Sequence, residues 1–201
     1  MKILYKMPSL LLYSRLVVSI SIVIFSFSNI SPKTIAFLSI YAIVSDIFDG
    51  IIARYLKIST IEMRQLDTKI DAVFWFSCLF YICINYTEFL QKHFLQIGVL
   101  VFSEIAIIVF GFLKFQERIS YHTIFSKFWA LLLLWFFIDL LFSSTAQFSF
   151  SCSFWYGLFV QLEIIIIAII LDKAHTDVPN LISAVKLKKG IKITKNRIFN
   201  D

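Results

Sequence analysis

Six apolar stretches, at roughly 10 to 28, 33 to 54, 68 to 86, 94 to 114, 125 to 143 and 154 to 171, occupy most of the chain and are joined by short connections. Each is near the ~20 residues that an α-helix needs to span a hydrocarbon core of ~30 Å. With 59% hydrophobic residues, a mean hydropathy of +0.84 and only five glycines and three prolines in 201 residues, an ordinary soluble domain is excluded. The expectation is an all-α polytopic membrane protein with six transmembrane helices. The connections leave no room for a separate soluble domain, and the chain carries no internal repeat or low-complexity segment.

Cytoplasmic loops retain Lys and Arg, which sets the orientation. With the N-terminus inside, all but Lys33 and Lys92 of the 19 Lys and Arg fall on the cytoplasmic side or at helix ends facing it. Both termini are then cytoplasmic, as is the connection between the second and third helices. The start of the chain, MKILYKMPSLLLYSRLVVS, reads as an interfacial segment entering the first helix at Pro8, because it lacks a small-residue cleavage site and Arg15 interrupts its apolar run. After Asp172 the composition changes to a basic tail, 173 to 201, expected to lie on the anionic membrane surface, where each cation contributes about 1 kcal/mol. The net charge of +6 follows from this topology and gives no reason to invoke nucleic acid.

Against this apolar background, Asp46 to Asp71, DIFDGIIARYLKISTIEMRQLDTKID, stands apart. Asp46 and Asp49 are three apart, Asp67 and Asp71 four apart, so each pair shares a helix face. With Asp46 at zero, Asp49 falls at about 300°, Gly50 at about 40°, Ala53 at about 340° and Arg54 at about 80°. Carboxylates at membrane depth are costly and functional, and clustered carboxylates repel unless cations hold them apart. Mg²⁺ or Mn²⁺ suits such a site, since hard ions select oxygen and no Cys or His accompanies these residues. Small residues at 50 and 53 allow a bulky phosphorylated ligand to approach the backbone. Cys78, Cys83 and Cys152 are scattered and imply neither a metal site nor disulfides.

The spacing resembles the signature of the CDP-alcohol phosphatidyltransferases, D-x-x-D-G-x-x-A-R, eight residues, then G-x-x-x-D-x-x-x-D. Asp46, Asp49, Gly50, Ala53, Arg54, Asp67 and Asp71 are all in register, and Met63 stands where the family has its second glycine. Pro8 and Arg15 also match a family entry motif, P-N-x-x-T-x-x-R, in which Ser9 and Leu12 replace the asparagine and threonine. The residues alone leave Arg15 either a snorkelling anchor or a cation facing substrate phosphate. HTIFSK, 122 to 127, looks like the H-T-x-x-x-K of some members.

By this resemblance, residues 1–172 form the catalytic membrane domain. A CDP-linked lipid such as CDP-diacylglycerol binds with its diphosphate on metal held by Asp46, Asp49, Asp67 and Asp71, and Asp71 acts as base on the acceptor alcohol. Gly50, Ala53, Arg54 and Arg15 line the donor, while Arg118 and Lys127 at the cytoplasmic mouth favour an acceptor bearing phosphate. Glycerol 3-phosphate is the first choice, as in a phosphatidylglycerophosphate synthase-like member. Many relatives are homodimers. Competing readings are a UbiA-like prenyltransferase, poorly served by six spans, and a non-catalytic relative. Glu104 and Glu163, each about ten residues from the outer end of its helix, are candidates to pair at similar depth.

Overall fold

A computed structural model describes residues 2–56, 58, 60–116, 121, 123–143, 145–173, 175 and 178–191. Lys57, Arg118, His122 and the tail beyond Ile191 lie outside the described residues, as do the side chains of 2–6, Arg54, Ile61, Glu62 and Arg64. Among the described residues all regular structure is helical: α1 (Lys2–Phe25), α2 (Pro32–Tyr55), α3 (Ile61–Asn85), α4 (Thr87–Lys92), α5 (Phe94–Phe115), α6 (Ile124–Ser143), α7 (Gln147–Ile170) and α8 (Leu181–Lys188). Among the described residues, five helices are long and apolar enough to cross a membrane, over Met7–Phe25, Pro32–Ala53, Phe94–Phe115, Ile124–Ser143 and Gln147–Ile170. The expected sixth, α3, has the length, with 25 residues. It is not among these five, and Glu62, Arg64, Asp67, Lys69 and Asp71 crowd its first half.

Two compact units make up the chain, Met1–Lys92 with Phe137–Thr145, and His93–Phe136 with Ala146–Asp201. In the first, α1 packs on both α2 and α3. Each helix presents a buried stripe at helical spacing: Leu12, Arg15, Ser19 and Ile22 on α1; Ile35, Ser39, Ala42 and Asp49 on α2; Ile70, Phe74, Ser77 and Tyr81 on α3. Lipid is as apolar as leucine, so association in a membrane depends on close van der Waals packing, which small residues permit. Ser19, Ser39 and Ser77 serve this purpose while donating their hydroxyls to the carbonyls of Arg15, Ile35 and Val73, four residues back. At the far end of α1, Asn85 Nδ2 donates to the Ser26 carbonyl at 3.2 Å and ties α3 to α1. Pro8 lies inside α1 rather than at its first turn. The helix already runs from Lys2, and membrane helices tolerate an interior proline when neighbours compensate.

In the second unit α7 begins at Gln147, seven residues before the expected start. The serines of QFSFSCS read as a connection, yet the Ser149 and Ser153 hydroxyls are buried and donate to the Ala146 and Leu132 carbonyls. Trp129 Nε1 donates to the Ser153 carbonyl at 2.9 Å, which lays the indole over Gly157. Segment 178–188, part of the expected surface tail, packs on the end of α7: Val178 and Ala184 join Tyr121, Ile167, Ala168 and Leu171 in one buried cluster. Asn180 caps α8 by accepting from the Ser183 N–H at 2.9 Å. Lys186, Lys188 and Lys189 remain exposed on and just after α8.

A Cβ on Gly157 would lie 2.6 Å from the Trp129 ring, which its own hydrogen bond holds in place. Overpacking of this kind costs roughly 1–3 kcal/mol. Gly157→Val should therefore lower the melting temperature of the detergent-purified protein. Gly98→Ala, where a Cβ meets nothing within 4 Å, should not. Thermal unfolding followed by tryptophan fluorescence compares the two.

Candidate active site

The carboxylates come from two helices and the cation among them from a third. Asp46 and Asp49 occupy the last third of α2, where the i, i+3 spacing turns both toward α1. The Thr60 hydroxyl starts α3 by accepting from the Met63 N–H at 3.2 Å. Because α3 begins before Met63, that residue, Asp67 and Asp71 follow one another at intervals of four along one stripe. Met63 is half-buried there, placing a thioether on the face that carries the two aspartates.

Arg15 enters from the buried stripe of α1 and is 1% exposed. Its Nη1 bonds to Asp46 Oδ1 and lies 2.8 Å from Asp71 Oδ1; its Nη2 bonds to Asp67 Oδ1 and lies 3.7 Å from Asp49 Oδ2. A snorkelling anchor would hold its guanidinium in the headgroups. This one is buried and surrounded by all four signature carboxylates. A charge on the inward face of an apolar helix requires counter-charges, so the position of Arg15 in the stripe of Leu12, Ser19 and Ile22 was the signal for this role. Asp46, Asp67 and Asp71 are each about a third exposed, whereas Asp49 is 5% exposed at the floor of the cluster.

Carboxylate oxygens of Asp46, Asp49 and Asp67 lie within 4.8 Å of one another. Asp49 Oδ2 is buried without a hydrogen-bond partner. An orphaned, buried carboxylate oxygen is costly unless a cation satisfies it. The all-oxygen donor set suits a hard divalent ion, so these residues fit Mg²⁺ or Mn²⁺. Asp71 lies beside the trio through its contact with Arg15.

Of the other expected site residues, Ala53 is buried on the α2 stripe and Gly50 is half-buried beside Asp49. Arg54 closes the last turn of α2, with its side chain outside the described residues, and Arg118 lies outside them entirely. Lys127, exposed in the first turn of α6, belongs to the second unit. Glu104 and Glu163 have different surroundings. Gln161 reaches Glu104 at 3.5 Å, along with the Leu100 carbonyl and Ser103. Glu163 faces the Thr123 hydroxyl and the Leu181 N–H at the start of α8, without a well-formed hydrogen bond to either. Lys114 caps α7 by donating to the Ala168 and Ile169 carbonyls at 2.8 and 2.9 Å.

A family model described as CDP-alcohol phosphatidyltransferase matches residues 5–175, a span that contains Arg15 and all four aspartates. No curated protein and no solved structure matches the chain significantly. The match covers most of the chain, and the carboxylate cluster is compatible with the divalent metal that the family uses. The chain thus belongs to the CDP-alcohol phosphatidyltransferase family, whose members are phosphotransferases for substituted phosphate groups.

Proposed function

We propose that the protein transfers the phosphatidyl group of CDP-diacylglycerol, or a closely similar CDP-linked lipid, to a small alcohol and releases CMP. The observation that carries this reading is the convergence of Asp46, Asp49 and Asp67 oxygens within 4.8 Å in a chain of this family. These three aspartates, with a contribution from Asp71, hold the divalent ion. When bound, the ion neutralises the donor diphosphate and the charge developing on the departing CMP.

Asp71 removes the proton of the acceptor hydroxyl as its oxygen attacks the lipid-side phosphorus. The new O–P bond forms while the P–O bond to CMP breaks. Gly50 and Ala53 leave room for the nucleotide against α2. Arg54 holds the diphosphate, and Arg15 turns to phosphate once the aspartates have other cations. Arg118 and Lys127 attract the acceptor's own phosphate, which makes glycerol 3-phosphate the preferred acceptor.

The site faces the cytoplasm of a six-span protein in which α3 makes the remaining crossing. At 1.5 Å per residue its 25 residues reach about 37 Å. An odd number of spans would put the termini on opposite sides and divide the basic ends of the chain. With α3 counted, both ends and the 55–67 connection share one side, in agreement with the distribution of Lys and Arg. Residues 173–201 then border the cytoplasmic leaflet.

Supplying membranes that contain the protein with labelled CDP-diacylglycerol and Mg²⁺ or Mn²⁺, and offering each alcohol separately, identifies the product lipid. Absence of product with every alcohol, alongside intact cytidine-nucleotide binding, would establish a non-catalytic relative instead. Asp71→Asn should lower turnover by about 10²- to 10⁴-fold, the usual worth of a general base, while CDP-lipid binding persists; wild-type turnover would remove Asp71 from the chemistry. Asp49→Ala should abolish both turnover and Mn²⁺ binding. Wild-type activity undiminished by excess chelator would refute the metal assignment.

Met63→Gly removes a side chain from the Asp67–Asp71 stripe at a cost of up to about 1 kcal/mol of helix stability. Calorimetric titration should show tighter CMP binding by this variant. Weaker binding would instead make the thioether part of the nucleotide pocket.

A further inference from the structure

We propose that Arg15 is a built-in cation that holds the aspartate cluster together before metal arrives and competes with the metal for those aspartates, so that its displacement sets the apparent metal affinity. This rests on the metal reading given above.

The guanidinium is an imperfect occupant of the cluster. One positive charge faces four carboxylates, from Asp46, Asp49, Asp67 and Asp71. Its two terminal nitrogens reach Asp46, Asp67 and Asp71 but stop 3.7 Å short of Asp49 Oδ2. The same small volume therefore contains a buried acceptor without a donor, Asp49 Oδ2, and a buried donor without an acceptor, Arg15 Nε. A polar cluster built only to hold helices together has its buried groups satisfied. Here the mismatch is one that a divalent ion bound to Asp46, Asp49 and Asp67 relieves. It supplies the missing charge to Asp49, and it frees the guanidinium to move toward the mouth, where Asp46, Asp67 and Asp71 are about a third exposed.

Arg15 is thus a positioning residue of the metal-free protein. It prevents mutual repulsion of the carboxylates from driving α2 and α3 apart, and it leaves the cluster when a stronger cation enters. An internal competitor lowers apparent affinity by the fraction of time the site is open. If the guanidinium occupies the cluster nine-tenths of the time, removing it tightens metal binding about 10-fold. A merely structural arginine has the opposite effect, since its loss disorders the ligands and weakens binding.

The test uses full-length protein in detergent, stripped with chelator and titrated with Mn²⁺ while free Mn²⁺ is followed by electron paramagnetic resonance. Arg15→Gln should bind Mn²⁺ about 10-fold more tightly than wild type. Its metal-free form should melt at a lower temperature than metal-free wild type, and saturating Mn²⁺ should close that gap. Equal or weaker Mn²⁺ binding by folded Arg15→Gln overturns the competition while leaving the metal site intact. A wild type that binds no Mn²⁺ overturns the metal reading and the competition together.

A second measurement needs no variant. Phenylglyoxal modification of Arg15 in the wild type, quantified by mass spectrometry of its peptide, should be slow in chelator and accelerate at saturating Mg²⁺. Labelling that is unchanged or slowed by Mg²⁺ overturns the proposal even if Arg15→Gln fails to fold.

Discussion

The contact between one guanidinium on α1 and four carboxylates on α2 and α3 governs the first unit. A charge of either sign is costly at membrane depth, and breaking a buried pair by removing one partner leaves the other uncompensated. The depth and rotation of α1 are therefore set by Arg15. Once that residue faces the cluster, Leu12, Ser19 and Ile22 fall on the same inward stripe, while Tyr13, Val17 and Ile20 face outward. Fold and site are one arrangement here, because the residues that fix the helix register are the ones available for chemistry.

The second unit handles its polar groups differently. Gln161 divides its amide between the Leu100 carbonyl and Glu104 and accepts from Ser103; Lys114 covers the last carbonyls of α7. Hydrogen bonds of this sort between membrane helices average only about 0.6 kcal/mol each. Their value lies in specifying which helix faces which, and Glu104 needs no catalytic role to account for its presence in α5.

The carboxylate cluster was legible in the sequence because its spacing obeys helix geometry. Asp46 and Asp49, then Met63, Asp67 and Asp71, fall on common faces once the helix limits are known, and the α3 start at Ile61 meets the condition for the Met63 stripe. The partners of Arg15 were not legible, since periodicity gives a residue's face but not what lies across from it. Hydropathy was misled in two opposite ways. It placed the start of α7 too late, because serines whose hydroxyls turn back on backbone carbonyls look polar while behaving as small packing residues. It also marked the apolar part of α3 without its N-terminal charged turns, which Arg15 partly compensates in three dimensions. The docking of 178–188 rests on a few apolar residues in a lysine-rich segment, a pattern too sparse to read from sequence alone.

The buried serines carry a mechanical consequence. Ser19, Ser39 and Ser77 spend their hydroxyls inside their own helices, so at these positions α1, α2 and α3 meet through dispersion alone. Among the described residues, directional links between these helices lie at two levels, the ionic cluster with Ser14 and Tyr41 midway along α1 and Asn85 with Ser26 just past its end. Between those levels the helices meet through small and apolar side chains, so their spacing there is fixed by shape rather than by any single bond.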